Sequence, residues 1–88
     1  MSEQNLNEEE HIRRLRWHCR RGIKEVEVLL VPFFEERYTG LSGADKLLFE
    51  KLLEQHDVDM FEWFTHRSKP EEADLAHIVS LVLGRVGS

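Results

Sequence analysis

The stretch Ile12-Arg13-Arg14-Leu15-Arg16-Trp17-His18-Cys19-Arg20-Arg21-Gly22 decides how the chain folds. Ile12, Leu15 and Cys19 recur in steps of three and four, which at about 100° per residue puts them on one side of a helix and Trp17 on the other. The spacing predicts a helix from about Glu9 to Arg20, with Arg13, Arg14, Arg20 and Arg21 sharing the far side with Trp17. Gly22 interrupts it. From Ile23 to about Tyr38, the residues Val26, Leu29, Leu30, Phe33, Phe34 and Arg37 again fall at helical spacing, so a second helix turns back on the first. Val26, Val28 and Val31 would suit a strand, but Glu27, Glu35, Glu36 and the length of the segment favour helix, with a kink or early break expected at Pro32.

Downstream, Thr39 to Gly43 reads as a loop, and Ser42 with Asp45 resembles a capping box that opens a third helix from about Gly43 to Gln55. Its expected buried face is Ala44, Leu47, Leu48, Leu52 and Leu53. Asp57-Val58-Asp59 offers another N-cap, ahead of a short fourth helix carrying Met60, Phe61, Trp63 and Phe64 and ending near His66. Ser68-Lys69-Pro70-Glu71 starts a fifth, with Pro70 in its first turn and Leu75, Ile78, Val79 and Val82 as its core stripe. Residues 1–8 are polar and aperiodic and are expected to form a disordered tail, leaving one domain over residues 9–86. No alternating strand pattern appears, so the fold class is all-α, a compact bundle of five helices.

The composition agrees: 88 residues with 41% hydrophobic and 9% aromatic content suffice for one core and one domain. The longest apolar run, Val26 to Phe34, is broken by Glu27 and Pro32 and falls short of the roughly 20 residues that cross a bilayer, so no membrane insertion is expected. The first ten residues hold four acids and no Lys or Arg, unlike a secretory or organellar leader, and the expected location is cytoplasmic. One cysteine, Cys19, makes neither an internal disulfide nor a C-x-x-C framework. His18 and Cys19 diverge by about 100° on their helix, and His56, His66 and His77 fall on separate elements, so no metal site is expected. No phosphate loop, nucleophile elbow or paired acid and base appears, and the chain does not read as an enzyme.

Charge is segregated. Residues 11–25 hold six cations against Glu25 alone, a net +5, while the remainder carries six cations and sixteen anions, a net −10. A nucleic-acid-binding reading of the arginines suffers from that acidic remainder. A Trp among arginines, opposite the core stripe, instead has the composition of a protein–protein hot spot. Beside it, Arg21 and Glu25 lie four apart and can project together, while Gly22 has no Cβ and admits close approach of a partner. The plainer reading makes Gly22 a helix terminator and Arg21/Glu25 a surface pair, and the residues alone leave both open.

Arg14-x-x-Trp17-x-Cys19-Arg20-Arg21-Gly22-x-x-Glu25, then Pro32-Phe33-Phe34-Glu35, then Leu52-Leu53-x-x-x-Asp57-x-Asp59-Met60-Phe61-x-Trp63 closely resemble the SdhE family of flavinylation factors. The resemblance covers roughly residues 12–83 and implies a five-helix bundle. It implies an assembly factor, not an enzyme, that binds the flavoprotein subunit of succinate dehydrogenase, and of fumarate reductase as a further client, and promotes covalent attachment of FAD there. No cofactor would be stably bound to the factor itself, which would be a monomer when free and bind no nucleic acid. Carried over, the R-G-x-x-E signature falls on Arg21, Gly22 and Glu25 as the flavoprotein contact near the flavin, with Arg14, Trp17 and Arg20 as adjoining contact surface. Asp57, Asp59 and Trp63 match the second signature in structural roles, Asp59 as N-cap and Trp63 as core. The weaker alternative that the family suggests is an antitoxin partner of a membrane-associated toxin.

Overall fold

The computed structural model describes the backbone of residues 3–87 and the side chains of residues 8–84. Five α-helices follow one another, α1 (Glu3–His18), α2 (Lys24–Arg37), α3 (Gly43–Leu53), α4 (Asp57–Phe64) and α5 (Ala73–Gly87), with one 3-10 turn at Tyr38–Gly40 and no strand among the described residues. α5 packs against α3, α2 and α4, and α4 also lies on α2. The backbone of α1 begins at Glu3, ahead of the start near Glu9 that the apolar spacing predicts. Residues 1 and 2 lie outside the described residues.

Each helix buries the stripe its periodicity dictates, with one exception. Leu15 and Cys19 of α1 are buried and Ile12 packs against the core from its edge, while Leu75, Ile78, Val79 and Val82 of α5 are all buried. The exception is α3. Leu47 is 67% exposed, Ala44 is exposed, and Phe49 joins Leu52 and Leu53 in the core at 0% exposure. Either stripe satisfies helical spacing, and the larger apolar surface wins. Phe49 completes an aromatic cluster, with ring centroids 5.5 Å from Phe33, 6.1 Å from Phe34 and 5.7 Å from Tyr38.

α2 runs through Pro32 unbroken. Proline removes one helical donor, but Leu30, Phe33 and Phe34 on either side of it are buried in one core, and that packing outweighs the local preference. α3 opens as its sequence predicts, with the Asp45 N–H donating to Ser42 Oγ at 3.1 Å. α5 starts later than expected, its first bond running from the Ala76 N–H to the Glu72 carbonyl, so Pro70 precedes the helix.

α4 closes on a left-handed residue that is not glycine: His66 has φ 64°. The His66 N–H donates to the Trp63 carbonyl at 3.2 Å and the Arg67 N–H to the Glu62 carbonyl at 2.8 Å, the bond pair of a Schellman terminus. A Cβ is costly at that φ, so His66→Gly is expected to stabilise the chain by about 0.5–1 kcal/mol. A urea midpoint that fails to rise would show that the histidine side chain compensates for its backbone.

Candidate functional site at the α1–α2 turn

The turn between α1 and α2 is built around a side chain pointing inward. α1 unwinds at Cys19, the Arg20 N–H donating to the Trp17 carbonyl at 3.0 Å, and α2 begins after Ile23 without a side-chain cap. Between them Arg21 folds its guanidinium under the turn. Nη1 donates to the His18 carbonyl at 2.8 Å and the Leu53 carbonyl at 2.9 Å, Nη2 to the Gln55 carbonyl at 2.8 Å, and Nε to Asp57 Oδ1 at 2.7 Å. His18 and Leu53 end α1 and α3, where carbonyls lack helical donors and the helix dipole favours a cation. One planar, always charged group thus caps two helices and holds the first residue of a third.

The other oxygen of Asp57 completes the fork, accepting the Gly22 N–H at 3.0 Å. The Arg21 N–H donates to Glu27 Oε1 in the first turn of α2, at 3.1 Å. The hydrogen bond from Arg21 holds the Asp57 carboxyl below the usual carboxylate range against the opposing effect of burial, and the Gly22 N–H adds to the lowering. The turn is therefore clamped by a residue 36 positions away from Arg21.

This placement corrects the expectation that Arg21 shares an exposed face with Trp17 and projects with Glu25. Its side chain is only 15% exposed, because the unpaired carbonyls at the ends of α1 and α3 offer it more than solvent does. The remaining site residues do reach the surface. Trp17 is 67% exposed and lines a shallow depression with Glu10, Arg13, Arg14 and His18. Arg13 and Arg14 have no ion-pair partner among the described residues, whereas Arg20 stands 3.9 Å from Glu27 and Arg16 donates to Glu35 at 3.0 Å. Glu25 is exposed and lines a groove between α2 and α4.

Gly22 is exposed and outside the positive-φ region, and a Cβ built there would meet only Asp57 Oδ2 at 3.4 Å, an ordinary contact. Nothing within the chain's own fold requires glycine at this position.

Of the residues given structural roles, Asp57 is the clamp just described. Asp59 is not the N-cap of α4: His56 occupies that position, without a side-chain bond, and Asp59 is an exposed acid of the first turn, complementing the helix dipole. Trp63 is half-buried, packed against the core from outside. The sequence reading missed the Arg21–Asp57 fork, whose one linear signal is an arginine next to the glycine that ends a helix.

Cys19 is 1% exposed, and burial, the largest influence, pushes its thiol up to about 12, so it stays protonated and unreactive. Among the described residues no three His, Cys, Asp or Glu side chains form a group able to hold a metal, and no helix is long and apolar enough to cross a membrane.

Residues 13–86 match the family Sdh5, described as flavinator of succinate dehydrogenase. The chain belongs to this family. The match takes in the whole clamp and the turn it supports. Among individual relatives, the FAD assembly factor SdhE of Pseudomonas aeruginosa is 52% identical over 81 residues, covering 92% of this chain and 96% of the relative. The FAD assembly factors SdhE of Pseudomonas savastanoi pv. phaseolicola and Pseudomonas putida are 46% and 44% identical over 79 residues, each pairing covering 90% of this chain and 94% of the relative. Membership in the family and the five-helix bundle are what the motif resemblance led us to expect.

Proposed function

We propose that this chain is an assembly factor, not an enzyme, that binds the flavoprotein subunit of succinate dehydrogenase and promotes covalent attachment of FAD to it. The observation that carries this reading is Gly22. It is a glycine whose side-chain space is open to solvent, whose backbone is unstrained, and whose position is fixed from beneath by Asp57 and Arg21. Such a turn is prepared for another molecule's backbone to rest on it. The chemistry of bond formation belongs to the flavoprotein and its flavin. This chain contributes a rigid surface that favours the flavoprotein conformation in which the reacting groups are aligned. Fumarate reductase, whose flavoprotein the resemblance also names, is a second client of the same surface.

Arg21 acts in this reading as the strut of the contact turn. Gly22, Glu25, Arg14, Arg20 and Trp17 make the contact, and the exposed indole supplies much of the affinity, as desolvated Trp side chains do at interface centres. Trp17→Ala is expected to weaken binding to the purified flavoprotein subunit about tenfold with no change in the urea midpoint. Unchanged affinity by titration calorimetry would remove α1 from the interface. The reading as a whole is tested by in-gel flavin fluorescence of the denatured flavoprotein subunit, made in cells with and without this chain. Denaturation removes non-covalent FAD, so a signal that does not depend on the chain overturns the proposal.

A further inference from the structure

Next to the clamped turn, α2 and α4 leave a groove between them. Its cavity of about 220 Å³ is lined by Glu25, Val28 and Leu29 of α2 and by Phe61, Phe64 and Thr65 at the end of α4. Residues 25, 28 and 29 share one face of α2, and residues 61 and 65 share one face of α4, a face that Val58 extends by a further turn. Val28, in the α2 wall, is 52% exposed, and Val58, one turn before Phe61 on α4, is 61% exposed, so apolar side chains stand in water at the groove and beside it. Valines at such positions contribute little to the chain's own core.

Glu25 is the one charge among the residues that line the groove, and it has neither an ion pair nor a hydrogen bond among the described residues. It stands three positions after Gly22, and Val58 follows Asp57, whose carboxylate holds the Gly22 N–H. Through Glu25 the groove begins one helical turn from Gly22 along the chain. A molecule resting on Gly22 reaches the groove within one helical turn.

We propose that the α2–α4 groove is the apolar half of the flavoprotein docking surface. It takes a helical segment of the flavoprotein that inserts one Leu- or Phe-sized side chain between Val28 and Phe61 and sets a Lys or Arg against Glu25. This rests on the reading that the flavoprotein subunit is the client. The groove's shape and lining fit the mode in which an amphipathic helix lays an apolar anchor into a cleft between two helices. Its single acid at the rim selects a cation beside that anchor. The Trp17 face, with its free arginines, selects the opposite charge, so the two lobes flanking Gly22 fix the orientation of the client as well as its affinity.

The test is calorimetric titration of the purified flavoprotein subunit of succinate dehydrogenase with the full chain and four variants. Val28→Asp places a charge in the groove at a position already half exposed, and is expected to weaken binding tenfold or more. Glu25→Gln is expected to weaken it about twofold to fivefold and Glu25→Lys tenfold or more, because reversal adds repulsion to the lost attraction. Leu47→Asp, at an apolar position even more exposed than Val28 but on α3, is expected to bind as the parent does. Circular dichroism and urea midpoints confirm that each variant is folded. Parent affinity in Val28→Asp overturns the groove, and equal losses in Glu25→Gln and Glu25→Lys overturn the cation beside it. If the unaltered chain gives no binding heat and no complex on gel filtration, the flavoprotein reading itself fails and the groove assignment falls with it. Normal binding combined with a silent Val28→Asp sinks the groove alone.

Discussion

Gly22→Arg is expected to leave the five-helix bundle intact and to reduce covalent FAD incorporation into the flavoprotein subunit to the level seen without the chain. The folded half of this expectation follows from the turn's geometry. The bond that ties Gly22 to Asp57 uses the backbone N–H, which any residue but proline retains. The backbone there is not left-handed, and the first side-chain carbon would make an ordinary contact at 3.4 Å. Replacing a glycine at an unstrained, exposed position changes stability by about 0.5–1 kcal/mol in either direction. The functional half follows from what an arginine does to the surface. A long cation rises from the middle of a contact face and blocks backbone approach at the point where it must be closest. Far-ultraviolet circular dichroism and in-gel flavin fluorescence, measured on the same variant, separate the two halves. Lost helicity would make Gly22 a structural residue, and undiminished flavin signal would remove it from the contact. Gly22→Ala, which adds one methyl group, is expected to fall between the parent chain and Gly22→Arg.

The helices were legible in the sequence because their stripes are redundant. In α5 four buried residues agree on one face, and no competing apolar set lies on another. α3 shows the limit of that reasoning. Leu47, Leu48, Phe49, Leu52 and Leu53 cover more than half the circumference, so periodicity permits two faces. The choice is made by the aromatic rings of α2 and the 3-10 turn, which no local window contains. Pro32 fails as a breaker for the same reason, since local preference yields to tertiary burial. The site was half legible. Trp17 stands out because an indole opposite an apolar stripe has nothing in its own helix to bury it. Arg21 reads as one more member of an exposed basic cluster, and only the approach of the ends of α1 and α3 in space turns it inward. Sequence spacing reports which residues share a helix face. It does not report which helix ends meet.

Arg21→Ala is therefore expected to lower stability, an effect a surface contact residue would not have. The variant removes four donated hydrogen bonds and leaves the carbonyls of His18, Leu53 and Gln55 to water that reaches them imperfectly, at a cost of about 2–3 kcal/mol. Asp57→Asn keeps the shape and an acceptor but loses the charge. Because the Asp57 side chain is 28% exposed, its expected cost at pH 7 is smaller, about 1 kcal/mol. The pH dependence has a definite sign. The folded-state pKa of Asp57 is lowered, chiefly by the hydrogen bond from Arg21, so its contribution is fully present above the unfolded value of about 3.9 and disappears as pH falls through the folded value. The stability gap between the parent chain and Asp57→Asn, from urea titrations, should accordingly be constant from pH 7 to about 5 and close below about pH 4. A gap that persists at pH 2.5 would mean the asparagine is disruptive for a reason other than charge. An Arg21→Ala midpoint equal to that of the parent would mean that Arg21 is free to meet a partner after all. The two variants also divide the functional effect. Gly22→Arg acts only at the contact, whereas Arg21→Ala weakens the support beneath it, so client binding and chain stability fall together in Arg21→Ala and separate in Gly22→Arg.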